Sequence, residues 1–128
     1  MSHPPCDRLV VAFELNQRPH PKGRPRFDSR TKRAYTDAVT VAYESDVKHA
    51  CAAAMQGREP YDGPVELVAL FEQRDARVAD VDNLAKAIQD GINHTAFVDD
   101  KQVVRLTAAR KIRADVDRVS VAVLAVTE

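Results

Sequence analysis

The chain has 128 residues, 45% hydrophobic and 30% charged, with no Trp. That is ordinary globular chemistry, long enough for one domain to bury a core without disulfide staples. Nineteen basic and nineteen acidic side chains cancel to a formal net charge of zero, which argues against a uniformly basic nucleic-acid binder and makes the segregation of charge the question.

No apolar run approaches the length of a membrane span, and "MSHPPCDRL" lacks the apolar stretch of a signal peptide. Cys6 and Cys51 stand far apart without CxxC spacing, so free thiols in a reducing, cytoplasmic setting are expected, Cys51 packed in a helix. The four histidines show no zinc spacing.

Residues 1–7 read as frayed. "RLVVAFEL" (8–15) alternates Leu9, Val11, Phe13 and Leu15 on one face and predicts a strand. From Asn16 to Tyr35, Pro and Gly forbid regular structure and predict a loop. Val39, Tyr43, Val47, Ala50 and Ala54 form a helical stripe, with Thr36 as N-cap and Gly57 as stop. "VELVALFE" (65–72) predicts a second strand facing inward through Val65, Leu67, Ala69 and Phe71. A charged connector leads to a short helix over 82–93 with Leu84, Ala87, Ile88 and Ile92 inward. "VVRLTAARKI" and "VSVAVLAV" read as strands, and the short link "RADVD" predicts an antiparallel hairpin between them. The order β-α-β-α-β-β predicts a single small α+β domain, residues 1–128, with one mixed four-stranded sheet and two helices on it.

Two features of this neutral chain are charged unevenly. Between Arg18 and Arg33 lie Arg18, Lys22, Arg24, Arg26, Arg30, Lys32 and Arg33, against one acid, Asp28. Arg24 and Arg26 are suited to phosphates and Phe27 to stacking on an open base step; Lys22, Arg33 and Arg77 of the later connector complete the expected nucleic-acid contacts.

The second feature is acidic. Asp80 precedes the second helix and Asp82 opens it, Lys86 and Asp90 follow at helical spacing, and Asp99 and Asp100 come after it. Residues i and i+2 diverge on a helix, so Asp80 and Asp82 converge only if Asp80 is still extended. If the following strand pairs beside 65–72, the Asp99–Asp100 loop is expected to return toward them. Each residue has an ordinary reading as well: a helix cap, an i,i+4 pair between Asp82 and Lys86, a turn. A single cap needs one Asp, though, not Asp-Val-Asp. Carboxylates of this kind suit a hard cation such as Mg²⁺, and beside a cationic loop they suit metal-assisted hydrolysis of a phosphodiester. Leu84 and Ala85 exclude an EF-hand loop. No Gly-rich phosphate loop exists, so no nucleotide cofactor is expected.

"RDARVADVDNLAKAIQDGINHTAFVDDKQVV" resembles the core of the RusA-type Holliday junction resolvases, with their D-x-D-N-L-x-K segment and following D-D-x-Q-V; "PKGRPRF" (21–27) and Tyr35 extend the likeness. The resemblance implies a RusA-like fold, a homodimer, dependence on Mg²⁺ with Mn²⁺ as a substitute, and paired symmetric nicks in a four-way DNA junction. It places the catalytic, metal-holding carboxylates at Asp80, Asp82 and Asp100, a further acidic position at Asp99, and the essential lysine at Lys86. Two other outcomes stay open: a nuclease for flaps, forks or other branched DNA, and a junction-binding dimer that has lost turnover.

Overall fold

A computed structural model describes residues 8–23, 26–77 and 79–127, with only the backbone of Arg26. The segment 1–7, Cys6 and Arg24, which carried expectations above, lie outside the described residues. The elements are β1 (Leu9–Leu15), β2 (Arg26–Asp28), β3 (Arg33–Tyr35), α1 (Ala38–Met55), β4 (Val65–Glu72), α2 (Val81–Ile92), β5 (Val103–Lys111) and β6 (Arg118–Ala125). The main sheet is mixed and four-stranded, in the order β1-β6-β4-β5, with β4 and β5 parallel and the other pairs antiparallel. The small α+β domain read from the sequence is therefore the observed one.

β4 explains the layering. Its alternate residues Val65, Leu67, Ala69 and Phe71 are at most 2% exposed and face the helices, which is the period-two burial of a strand with one covered face. Val119, Val121 and Val123 of β6 continue that apolar layer, and Leu84, Ala87, Ile88 and Ile92 of α2 cover it. In β1, Val11, Phe13 and Leu15 join the core, but Leu9 is left exposed. The cause is a bulge at Val10, which shifts the register against β6 and turns Val10 inward instead.

Helix α1 departs from its predicted stripe. Thr40, Tyr43, Val47, Cys51 and Met55 are buried, whereas Val39 is exposed and Ala50 and Ala54 are half-buried. The cap is Asp37 rather than Thr36: its carboxylate accepts from the Thr40 backbone N–H (2.9 Å) and from the Thr40 hydroxyl (2.9 Å). That second bond satisfies a buried Thr, an inward polar position that a hydrophobic stripe does not reveal. The helix ends with Gln56 in the left-handed region just before Gly57. Cys51 is a free, buried thiol whose pKa burial pushes up to about 11.

The two helices cross at Gly91. A Cβ there would lie 2.7 Å from Val47 Cγ1 and 3.2 Å from the Glu44 carbonyl oxygen. Gly91→Ala gains about 1 kcal/mol of helix propensity, but overpacking against backbone costs more, about 1–3 kcal/mol. Net destabilisation of about 1 kcal/mol is expected, and urea denaturation measures it.

Two expectations are corrected. β5 and β6 do not form a hairpin: they run antiparallel, but β4 lies between them, so the 112–117 link crosses over the end of β4. Gln73 anchors that crossing, donating its N–H to the Lys111 carbonyl (2.9 Å) and accepting from the Ala114 N–H (2.9 Å). The segment from Asn16 to Tyr35 is not wholly irregular, because β2 and β3 pair as a small hairpin. Its turn is made by the Asp28 carboxylate accepting from the Arg30 N–H (2.8 Å) and by Lys32 at φ 57.

Candidate active site

Asp80 is the N-cap position of α2, extended at φ −63 and ψ 130, and its side chain makes no capping bond. The condition for Asp80 and Asp82 to converge is therefore met. Asp82 sits in the first turn, where the helix dipole favours negative charge. Both are exposed and make no ion pair among the described residues. The cap reading of Asp80 thus fails at the side chain, and the Asp82–Lys86 reading fails as well, because Lys86 Nζ pairs with Asp90 (3.3 Å).

Asp99 and Asp100 do not return to this end. The parallel register sets Val65 beside Val103 and Glu72 beside Lys111. Asp100 therefore lies at the entry of β4 and β5, and Asp80 beyond their exit, where the Arg110 guanidinium donates to the Ala79 carbonyl. The eight residues of β4 put about 23 Å between the two ends, far more than the span of one ion's ligands. Among the described residues of one chain, no group of three or more acidic, His or Cys side chains is placed to hold a metal.

The Asp99–Asp100 turn is itself well fixed. Asp99 caps a 3-10 turn (Asp100–Gln102), with the Asp99 N–H donating to Gln102 Oε1 (2.8 Å). Gln102 Nε2 donates to the carbonyls of Tyr61 (2.8 Å) and Gly63 (2.8 Å), stapling the acidic turn to the loop before β4. The sequence showed Gln102 only as a motif letter; this positioning role needs a contact some forty residues away.

The cationic loop docks against the acidic helix. The Lys22 N–H donates to the Asn83 carbonyl (3.0 Å), and Lys22 Nζ contacts Glu44 (2.7 Å) and Asp90 (2.9 Å). Asp90 is thus shared by Lys22 and Lys86. Burial alone would lower the pKa of Lys22, but hydrogen bonds and charges from Glu44 and Asp90 outweigh it and hold the ammonium above its usual range. A raised folded pKa gives stability that is complete below the unfolded value, about 10.4, and lost as pH rises through the folded one. Lys22→Met is expected to cost about 1 kcal/mol at pH 8, a partly exposed pair being discounted for screening. Urea curves of variant and wild type should converge as pH rises through the raised folded pKa.

Lys22 is accordingly engaged inside the protein rather than presented to a ligand, and Arg18 pairs with Asp75 (3.2 Å). The presented cations are those of the β2–β3 hairpin: Arg30, Lys32 and Arg33 are exposed at and beside the turn, with Phe27 67% and Tyr35 48% exposed. Arg77 is exposed on the connector. With Arg18, His20, Gln73 and Ala79 it lines a cleft of about 310 Å³ that opens next to Asp80. Gln73, 2% exposed, shapes its floor by donating to Asp75 Oδ1 (3.0 Å) and to the Arg77 carbonyl. His20, held at 3.2 Å from the Thr40 hydroxyl, and Gln73 are the cleft residues that sequence reasoning missed. Neither is one of the charged residues by which the sequence marks the loop and the connector.

A mixed-sheet domain with exposed carboxylates at a helix start, a cleft beside them and a projecting cationic hairpin has the layout of an enzyme that handles nucleic acid. Residues 16–124 match the family model of the endodeoxyribonuclease RusA, and the chain belongs to that family. It is an endodeoxyribonuclease of the Holliday junction resolvase kind. RusA-type nucleases depend in general on divalent metal and act on four-way junction DNA, generally as dimers. No curated protein matches the chain. Among the described residues, no helix is long and apolar enough to cross a membrane.

Proposed function

We propose that this enzyme is Mg²⁺-dependent, with Mn²⁺ able to substitute, and that it resolves Holliday junctions in DNA recombination and repair by paired symmetric nicks. Each active site is completed by two protomers: Asp80, Asp82 and Lys86 from one, Asp100 and Asp99 from the other. The observation that carries this reading is the pair Asp80 and Asp82 at one end of α2, without an ion pair among the described residues, with the second acidic motif hydrogen-bonded in place at the opposite end.

The donor set fits the ion. Mg²⁺ takes one or two carboxylates and completes its octahedron with water and phosphate oxygens, and Asp80 and Asp82 supply hard oxygens that no cap or salt bridge among the described residues occupies. When bound there, the ion would supply Lewis-acid stabilisation of the phosphate and a more acidic water. The chain's own groups do the rest. Asp80 and Asp82, at the start of α2, would hold the ion. Lys86, half exposed and tethered to Asp90, faces developing negative charge on the phosphoryl oxygens. Arg77 and the hairpin cations hold the flanking backbone.

A twofold dimer gives two such sites related by symmetry, as nicks on opposed strands require. The test is a panel of four-way junction, flap, fork and linear duplex, each with Mg²⁺ and with a chelator. Symmetric nicks in the junction alone, abolished by chelation, are expected. Equal cutting of flaps or forks would make the enzyme a general branched-DNA nuclease, and junction binding without product would make it a binding dimer.

A further inference from the structure

Resting on the shared active site just proposed, we propose that the two copies associate through the outer edge of β5, pairing antiparallel across a twofold axis into one continuous eight-stranded sheet. β5 ends the sheet, and no strand pairs with its outer side among the described residues. An exposed edge of this kind is a template for another strand unless it is blunted. The opposite edge is blunted: β1 is bulged at Val10, whose carbonyl accepts from Arg58 Nη1 (2.8 Å). β5 is bulged only at its start, at Val104, and runs regularly from Arg105 to Lys111.

The apolar layer also runs past this edge into solvent. Leu106 lies level with Leu67 on the helix side of the sheet, yet Leu67 is 0% exposed and Leu106 45%. A second β5 alongside would cover it.

Symmetry narrows the register. A twofold axis perpendicular to a sheet makes some residue face its own copy, because directly opposed residues share a face. Centring the axis on Thr107 sets Arg105 against the partner's Ala109 and Leu106 against the partner's Ala108. Moving it to Ala108 opposes Arg105 to the partner's Lys111, like charges that repel. Moving it to Leu106 draws in the Val104 bulge. With Thr107 at the axis, the β5 exit of one copy lies beside the β5 entry of the other. The exit carries Ala79 and Asp80 through Arg110, and the entry carries Asp99 and Asp100 through Gln102. The acidic segments that one chain holds apart come together twice.

Thr107→Cys in a Cys6→Ser background tests the pairing, since residues facing each other across antiparallel strands have Cα atoms about 4.5–5.5 Å apart, within disulfide reach. Mild oxidation is expected to give a covalent dimer that still cleaves in Mg²⁺, while Ala122→Cys on the open sheet face stays monomeric on denaturing gels. Thr107→Arg is expected to weaken the dimer at least tenfold in sedimentation, with unchanged circular dichroism, and Ala12→Arg to leave it intact. If Thr107→Cys does not crosslink in a protein that still cleaves junctions as a dimer, or if Ala12→Arg dissociates it and Thr107→Arg does not, the edge pairing is overturned and the nuclease reading stands. A Thr107 crosslink in a protein that never cleaves would uphold the pairing and overturn the function.

Discussion

An equimolar mixture of Asp82→Asn and Asp100→Asn chains, each nearly inactive alone, is expected to nick four-way junctions with about a quarter of the wild-type site capacity. Alone, each variant removes one carboxylate from every site, at a cost of about 3–4 kcal/mol in the barrier, or a few hundred- to a thousandfold in rate. In a twofold dimer with shared sites, random exchange makes about half of the dimers mixed. In a mixed dimer one site contains both substitutions and the other contains neither. One intact site in two, in half of the dimers, is the quarter. If each chain instead gathered its own carboxylates, a mixed dimer would have no intact site and mixing would recover nothing. Because one dimer then has a single working site, the product should be singly nicked junction rather than resolved duplexes. Gel separation of nicked from resolved product after subunit exchange measures both quantities.

That outcome turns on a feature the sequence half discloses. α2 was legible because its apolar period and the Asp-Val-Asp start agree, and β4 because strict alternation marks one covered face. The condition set on β5, that it pair beside β4, is met. Its consequence ran opposite to the one expected. Parallel neighbours need a crossover helix running back along the sheet, so whatever precedes β5 must sit at the end of the sheet opposite to whatever follows β4. Asp100 and Asp80 are separated by the same pairing that was expected to join them. The β5–β6 link misled for a related reason: a short connection fixes strand direction, but it leaves adjacency to long-range pairing, and β4 inserts between them. The engagement of Lys22 with Glu44 and Asp90 was hidden because both partners are far along the chain. In the hairpin, the turn is set by Asp28 and by Lys32 at positive φ, a conformation that glycine usually signals and lysine does not.

The same hairpin carries the other large expected effect. Replacing Arg30, Lys32 and Arg33 together by Gln should flatten the dependence of log K on log salt for junction binding by about 2.7, that is, about 0.9 for each phosphate contact removed. By the same relation, affinity near 0.1 M salt should fall by roughly a hundredfold or more. These three cations are presented at the turn, whereas Arg18 and Lys22 are bound up with Asp75, Glu44 and Asp90. The hairpin's aromatic groups lie on opposite faces, because the register pairs Phe27 with Ala34 and Arg26 with Tyr35. Only one of them can meet a base opened at the branch point while the rim holds phosphate. Phe27, the more exposed of the two, is the better placed to stack. Phe27→Ala should therefore weaken binding by about 1–3 kcal/mol while leaving the salt slope unchanged. An unchanged slope in the triple variant would show that the hairpin makes no phosphate contact, and the exposed Arg77 of the cleft would then be the next cation to replace.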